Sequence, residues 1–162
     1  MKTFTLTDLN ELDRHAARLP RLRTHLNLHD PAHDAIQRFV IHMRHGSYVR
    51  PHRHAMQQRW ECVVFLAGSA DLLLFDDNGT VTDRIRGGEF DEVRVVEIPA
   101  DRWHSYFVVT ESATFFEVKE GPYDARLDKQ FADWAPPEGD PLAPSFVNWL
   151  ERATPGKHWL RK

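Results

Sequence analysis

Short alternations of hydrophobic and polar residues run through most of this chain. Residues 36–44 place Phe39, Ile41 and Met43 on one parity and mostly polar residues on the other. Because successive side chains of a β-strand point to opposite faces, this pattern predicts a half-buried strand. Further strands are predicted at 21–29, 60–66, 70–75, 80–85, 93–98, 103–109 and 114–119. About six to nine short strands separated by turn signals predict a closed antiparallel β-barrel or jelly roll, an all-β fold.

Helical spacing occurs near both ends of the chain. Leucines recur in residues 6–19, which predicts a short amphipathic helix with Thr7 or Asp8 as N-cap and Pro20 as its end. A second short helix is predicted at 145–153 with Ser145 as N-cap. Before it, a proline-interrupted stretch carries aromatic residues that need burial. We therefore expect one domain with an N-terminal helix (1–20), a barrel (21–121) and a C-terminal wrap and helix (122–162).

Several connections between strands contain residues that favour turns. Asp76-Asp77-Asn78-Gly79 predicts a hairpin turn, since Asn-Gly tolerates positive φ, and Gly87-Gly88 predicts another. A turn at 55–59 would fold the segment with His52 and His54 back onto the strand at 60–66. That hairpin would bring Glu61 beside the two imidazoles.

Composition narrows the class of protein. A chain of 162 residues with 41% hydrophobic and 28% charged residues is ordinary for one soluble globular domain. Its longest apolar runs are strand-sized, so we expect no membrane span, and the N-terminus lacks the apolar centre of a signal peptide. The single cysteine, Cys62, favours a reducing cytoplasm. A net charge of -3 gives no general attraction to nucleic acid.

A metal site is predicted at the histidine pair. In an extended strand His52 and His54 point to one face and can converge on one ion. Such a pair by itself more often faces solvent. With Glu61 it would supply two nitrogens and one oxygen, and a fourth ligand must come from elsewhere. This donor set suits one divalent transition metal: Zn, Fe, Mn, Ni or Co, with Zn or Fe favoured.

The same residues resemble two motifs of the cupin superfamily. The first spans Gly46 to Gly68 with His52, His54 and Glu61, and its spacer of six residues between His54 and Glu61 is longer than the usual three or four. The second, PADRWH at 99–104, ends on His104 and has Asp101 where a glycine is usual. The resemblance implies the cupin fold, a double-stranded β-helix, with these residues as metal ligands.

Longer strings are similar to one branch, the WbuC-type cupin-fold metalloproteins associated with bacterial O-antigen gene clusters. They are RTHLNLH (23–29), YVRPHRH (48–54), FFEVKEGPY (115–123) and WAPPEGD (134–140). The resemblance implies a small polar or anionic ligand, such as a sugar or sugar-nucleotide derivative. It also implies a homodimer.

Strand parity and the resemblance select residues around the metal. Candidates for proton transfer are His25, Tyr106 and Glu117, and candidates for substrate binding are Arg23, Asn27, His29, Tyr48, Arg50 and Lys119. The polar face of 21–29 could instead be solvated, and Arg50 could pair with Glu117. Cys62 has the opposite parity to Glu61 and is expected outside the barrel interior.

Three functions fit these residues. The first is a metal-dependent enzyme, an isomerase or epimerase, or an oxygenase if the metal is Fe(II). The second is a non-catalytic metal-dependent binding module. The third is a metal-free sugar epimerase in which a histidine and a carboxylate move the proton. The fold alone does not choose among them.

Overall fold

The structure of the protein is a computed structural model that describes residues 1–30, 33–55 and 58–160. This part of the chain contains ten strands and two helices. In chain order they are α1 (Leu6–Ala16), β1 (Arg23–Asn27), β2 (Ile36–Arg44), β3 (His52–Arg53), β4 (Glu61–Ala67), β5 (Ser69–Phe75), β6 (Val81–Gly88), β7 (Val95–Ile98), β8 (Trp103–Val108), β9 (Ser112–Glu120), β10 (Gln130–Phe131) and α2 (Ala143–Arg152). Neither helix in the described ranges is long and apolar enough to cross a membrane.

The strands form two five-stranded antiparallel sheets. Sheet A has the order β1-β2-β9-β4-β7, and sheet B has the order β10-β3-β8-β5-β6. Buried apolar side chains from both sheets meet between them, which makes this space the interior of the barrel. We call this group the inner cluster: Met43, Val63, Phe65, Ala70, Leu72, Ile98, Tyr106, Val108, Ala113 and Phe115. The antiparallel barrel predicted from the strand pattern is confirmed.

A second apolar group, the outer cluster, lies on the opposite face of sheet B. Strand β8 is buried on both faces, so His104 and Tyr106 point into the barrel while Trp103 and Phe107 point outwards. Residues after the barrel cover the outward side chains. The outer cluster consists of Tyr48, Leu73, Phe75, Val81, Trp103, Phe107, Ala132, Ala135, Ala143, Phe146, Val147, Leu150 and Ala153.

An arginine ties α2 to sheet B. The Arg84 guanidinium donates hydrogen bonds to the carbonyl oxygens of Leu150 (2.7 Å) and Ala153 (2.8 Å), at the C-terminal end of the helix. It also pairs with the buried carboxylate of Asp71, which Arg86 contacts as well. A positive charge at a helix C-terminus satisfies free carbonyl groups and interacts favourably with the helix dipole.

The first helix begins within the predicted range, at Leu6, but the N-caps of both helices differ from those predicted. Thr5, rather than Thr7 or Asp8, caps α1, because its hydroxyl accepts from Asp8 N while the Asp8 carboxylate accepts from Thr5 N. This reciprocal pair is a capping box. Ser145 does not cap α2 but lies inside it, since the helix already starts at Ala143 with a proline in its first turn.

The predicted histidine hairpin is wrong. Strand β3 pairs with β8 and β10 in sheet B, whereas β4 belongs to sheet A. The connection between them therefore crosses from one sheet to the other. The predicted turn at 55–59 lies partly outside the described residues, since 56 and 57 are not described.

Of the two glycine turns, one is confirmed and one is wrong. Gly79 has a φ of +82° between β5 and β6, as an Asn-Gly turn requires. Gly87 and Gly88 belong to β6 instead of a turn. A Cβ at Gly87 would lie 2.2 Å from a ring atom of Phe65, so close packing explains this glycine.

Candidate metal centre and cavity

Four titratable side chains meet between the two sheets. His52 and His104 are register partners on β3 and β8, His54 follows β3, and Glu61 starts β4 on the facing sheet. Each is between 1% and 3% exposed. One ligand atom from each lies within 4.8 Å of the others. Residues from both sheets thus form one compact group of three imidazoles and one carboxylate.

Backbone carbonyl groups orient all three imidazoles. The Nδ1 atoms of His52, His54 and His104 face the carbonyl oxygens of Arg50 (3.0 Å), Asp128 and Arg102 (2.8 Å), respectively. Because a carbonyl oxygen only accepts, each Nδ1 carries the proton, and a neutral ring then presents the lone pair of Nε2. Metal-ligating histidines are typically held in this way.

The Nε2 atoms face a carboxylate that has no proton to offer. His54 Nε2 lies 2.8 Å from Glu61 Oε1, and His104 Nε2 lies 3.1 Å from Glu61 Oε2. Burial alone would raise the pKa of Glu61, but without an ion between them a proton on the His104 or His54 ring would outweigh burial and hold the pKa well below its usual range, so the carboxyl group is ionised. Burial, reinforced by nearby positive charge, also keeps the pKa of His52 well below its ordinary value, so that ring is neutral.

This donor set fits a divalent cation. Although the two contacts with Glu61 are short, neither has hydrogen-bond geometry, and within the described residues both Nε2 atoms are buried without a hydrogen-bond partner. Buried lone pairs facing a carboxylate repel one another unless a positive charge lies between them. The four residues are therefore compatible with a divalent metal site, and imidazole with carboxylate does not select one metal.

A cavity of about 710 Å³ reaches His52 and Glu61. This volume lies within the range of small-molecule sites, roughly 300–1,000 Å³. Its polar lining includes Arg21, Arg23, His25, Asn27, His29, Tyr106, Glu117, Lys119, Tyr123, Asp128, Lys129 and Glu138. Its apolar lining includes Phe39, Ile41, Met43, Val49, Phe115 and Phe131.

Tyr106 presents a free hydroxyl to this cavity. The residue is 6% exposed, and its hydroxyl has no hydrogen-bond partner within the described part of the chain. Burial raises the pKa of Tyr106 well above its usual value, so the hydroxyl keeps its proton. The ring stacks on Phe115 with centroids 5.4 Å apart, which fixes the direction of the hydroxyl.

Glu117 and Lys119 project from β9 into the same cavity. Burial raises the pKa of Glu117 to about 7, and the negative charge of Glu61 adds to this effect while Lys119 opposes it. Lys119 Nζ donates to both carboxylate oxygens of Asp128 (2.8 and 3.1 Å) and lies 3.9 Å from Glu61 Oε1. Burial would lower the pKa of Lys119, but the surrounding carboxylates outweigh it and raise the pKa, so Lys119 is an ammonium.

Known structures share this fold at low identity. A protein from Klebsiella pneumoniae with a double-stranded β-helix domain aligns over 82% of this chain and 98% of its own, with 15% identity and a TM-score of 0.56. CapF with the inhibitor 3-isopropenyl-tropolone aligns over 67% of this chain and 31% of its own, with 19% identity and a TM-score of 0.52. The cupin domain of Cnp3 from Schizosaccharomyces pombe aligns over 60% of both chains, with 11% identity and a TM-score of 0.46. The likeness to the Klebsiella pneumoniae protein shows that this protein has the predicted fold, the double-stranded β-helix of cupins.

Sequence comparison gives a family. The model of the family described as a domain of unknown function, DUF6016, matches residues 4–86, just over half of the 162 residues. The chain belongs to the DUF6016 family. No curated protein matches it. The matched part of this DUF6016 protein contains His52, His54 and Glu61, while His104 lies beyond it.

The polar strand of this DUF6016 protein lines the cavity. β1 is an edge strand of sheet A, and Arg23, His25 and Asn27 on it, with His29 beyond it, all line the cavity that reaches His52 and Glu61. Burial, together with neighbouring positive charge, lowers the pKa of His25, so its ring is neutral near pH 7. The polar face of 21–29 thus faces a shared cavity, and the roles of its residues stay predictions.

Tyr48 and Arg50 lie elsewhere. Neither lines the large cavity. The Tyr48 hydroxyl donates to Pro136 O (2.7 Å) within the outer cluster, and Arg50 donates to Ala132 O (3.1 and 2.6 Å) rather than pairing with Glu117. Residues 47–51 are not in a strand, so the parity with His52 that placed both side chains beside the metal does not hold.

Three residues from the segment after β9 lie at the cavity without having been predicted there. Asp128, Lys129 and Phe131 line the cavity, and Asp128 also supplies the carbonyl that orients His54. This segment carries only two strand residues, so no periodic signal marked the three. Asp101 stands where the second cupin motif usually has a glycine. Its φ of +61° lies in the left-handed region that glycine adopts most easily, which explains why a glycine is usual there.

Proposed function

We propose that this protein is a metal-dependent enzyme that acts on a small polar or anionic substrate, a sugar or sugar-nucleotide derivative, in bacterial surface polysaccharide (O-antigen) biosynthesis. One observation carries the proposal: three imidazole nitrogens and a carboxylate converge beside a cavity of about 710 Å³ with a polar lining. The substrate class and the O-antigen context are supported by the similarity of strings such as RTHLNLH (23–29) to WbuC-type proteins.

The chain's own groups divide the chemistry between them. His52, His54, Glu61 and His104 would hold the metal, which supplies a Lewis acid that polarises a carbonyl or hydroxyl. The Tyr106 hydroxyl donates a hydrogen bond to a substrate oxygen, since it has no partner among the described residues. Glu117, with its raised pKa, gives or takes a proton at neutral pH.

The cavity lining positions the substrate. His25, neutral near pH 7, accepts or delivers a second proton at Nδ1 or Nε2. Arg23, Asn27, His29 and Lys119 bind substrate oxygens. Lys119 is held by Asp128, so it serves as a fixed charge and not as a mobile base.

The metal is tested first, by elemental analysis of the untagged protein. We expect about one equivalent of a transition metal, lost in His52→Ala, because three protein ligands hold a metal far less tightly than four. The matched control is His158→Ala, which removes an exposed histidine and keeps the metal. Purified protein without metal would contradict the proposal and leave the metal-free epimerase.

Turnover separates an enzyme from a binding module. With sugar nucleotides as substrates, we expect His25→Ala to lower kcat by about 100-fold or more, the range of general acid–base catalysis, while metal content is unchanged. Binding of a sugar nucleotide without any turnover would favour the non-catalytic module instead.

The cytoplasmic location and the homodimer are part of the same proposal. The single cysteine supports the first, and the cupin resemblance supports the second. A monomeric mass in solution would contradict the dimer.

A further inference from the structure

Four cationic side chains lie on the cavity or beside it, separate from the metal ligands: three line the large cavity, and Arg50 lines only a smaller neighbouring one. We call them the cationic rim: Arg21, Arg23, Arg50 and Lys129. The smaller cavity, of about 370 Å³, is lined by Arg21 and Arg50. Arg21, Phe131 and Glu138 line both cavities, so the two spaces meet at the rim.

One carboxylate contacts this rim. Glu138 forms an ion pair with Arg21 (Nε to Oε2, 2.7 Å) and accepts hydrogen bonds from Arg21 Nη2 (3.2 Å) and from the Arg23 guanidinium (2.5 Å). Within the described part of the chain, no other carboxylate lies within ion-pair distance of the four cations. At the rim itself four positive charges therefore face one carboxylate, and the other acidic residues that line the large cavity, Asp30, Glu61, Glu117 and Asp128, lie beyond ion-pair distance of these cations.

Two of the cations have no acidic partner in the described ranges. The Arg50 guanidinium donates to a neutral acceptor, Ala132 O, and lies 5.5 Å from the ring centroid of Phe131. Lys129 is exposed, and its charge acts over the cavity on His25, His52 and Glu117. Lys129 remains available to an anion in the large cavity, and Arg50 to an anion in the smaller one.

Arg23 is largely buried and is also under like-charge repulsion. The Arg23 side chain is 13% exposed. Burial lowers the pKa of Arg23, and Arg21 lowers it further while Glu138 opposes both. An anion between the arginines would relieve this repulsion.

We propose that the cationic rim is a subsite for a phosphoryl or diphosphoryl group of the substrate. The proposal rests on the proposed function and deepens it, since it makes the substrate a phosphorylated sugar or a nucleoside diphosphate sugar. A phosphoryl group carries up to two negative charges, which matches four cations facing one carboxylate better than the single charge of a carboxylate ligand does. Arginine forks bind phosphate oxygens through paired hydrogen bonds, and the Phe131 ring supplies an apolar wall beside them.

Inorganic pyrophosphate tests the rim directly, by calorimetry on the as-purified protein. Arg21→Gln and Lys129→Gln remove exposed charges, so both variants should fold and keep their metal. Each is expected to weaken pyrophosphate binding by about fivefold or more, since each removes a charge-assisted contact. The matched control is Arg126→Gln, which removes an exposed arginine on the same C-terminal segment and lines neither cavity. It should bind as the wild type does.

A second arm distinguishes the rim from the metal. In His52→Ala protein, pyrophosphate binding should still fall when Lys129→Gln is added. Binding that depends on the metal alone, with equal affinity in wild type, Arg21→Gln and Lys129→Gln, would overturn the subsite and leave the proposed enzyme standing. Rim-dependent binding in a wild type that carries no metal would support the subsite and contradict the metal-dependent function.

Discussion

The two apolar clusters on either face of sheet B have different surroundings. The inner cluster continues into a polar region where a carboxylate and three imidazoles are buried together. The outer cluster contains five aromatic residues, and the guanidinium groups of Arg53 and Arg84 lie over the rings of Trp103 and Phe107. Among the described residues, no group of potential metal ligands converges in it. Burying polar groups without full hydrogen bonding is unfavourable. We infer that the outer cluster supplies stability that the barrel interior gives up to the site.

Phe146 gives the strongest test of the stabilising role of the outer cluster. This residue is fully buried, and its ring lies 5.2 Å from that of Trp149 and 5.5 Å from that of Tyr48. Phe146→Ala should lower the free energy of unfolding by about 3–5 kcal/mol, measured by equilibrium urea denaturation. Metal content of the folded protein should be unchanged.

The matched control is Phe90→Ala, since Phe90 is 92% exposed. Its change in unfolding free energy should stay within about 0.5 kcal/mol. If Phe146→Ala lowered metal content and left stability intact, the division between the two clusters would be wrong.

Asp128 tests the polar region beside the inner cluster, through its effect on metal affinity. Asp128→Ala removes the carboxylate that holds Lys119, whose ammonium lies 3.9 Å from Glu61 and would then compete with a cation for that carboxylate. We expect metal affinity to fall about tenfold, as for other residues that support metal ligands, measured by competition with a chromogenic chelator. Asp133→Ala, an exposed change on the same segment, should leave the affinity as it is. An equal loss in both variants would remove the assigned role of Asp128.

The smallest expected effect is on how the stability of the fold changes at acid pH. Burial alone would raise the pKa of Asp71, but hydrogen bonds from Arg86 and Arg84 outweigh it and the pKa is lowered. The carboxylate therefore stabilises the fold above its unfolded pKa, near 3.9, and this contribution is lost as the pH falls through the lower folded value. Urea midpoints between about pH 2 and 6 should fall less steeply with acid in Asp71→Asn than in the wild type. Parallel curves would exclude Asp71 as the group responsible.

Much of the fold follows from the sequence because strand parity is a strict local rule. Parity correctly separates Glu61, which faces the interior, from Cys62, and the barrel follows from the strand count. The same rule misplaces Tyr48 and Arg50, since their segment is not a strand. The need for a glycine at position 87 could not be predicted from the sequence, because it depends on the ring of Phe65 that packs against Gly87 in the folded protein.

The residues of the candidate site were predicted in part as well, but from motif spacing instead of strand parity. His52, His54, Glu61 and His104 could be found because motif spacing marks them. Asp128 and Lys129 could not, because they reach the cavity through an irregular segment whose path depends on tertiary packing.

The carbonyl groups that hold His52, His54 and His104 belong to the main chain, at Arg50, Asp128 and Arg102. Replacing any of those three side chains leaves the oriented carbonyl in place. The path of the main chain therefore sets the direction of each imidazole, and substitution of the neighbouring side chains should not change it. Redesign of the site for another metal should change the length or curvature of these connections, since exchanging their residues leaves the three rings aimed as before.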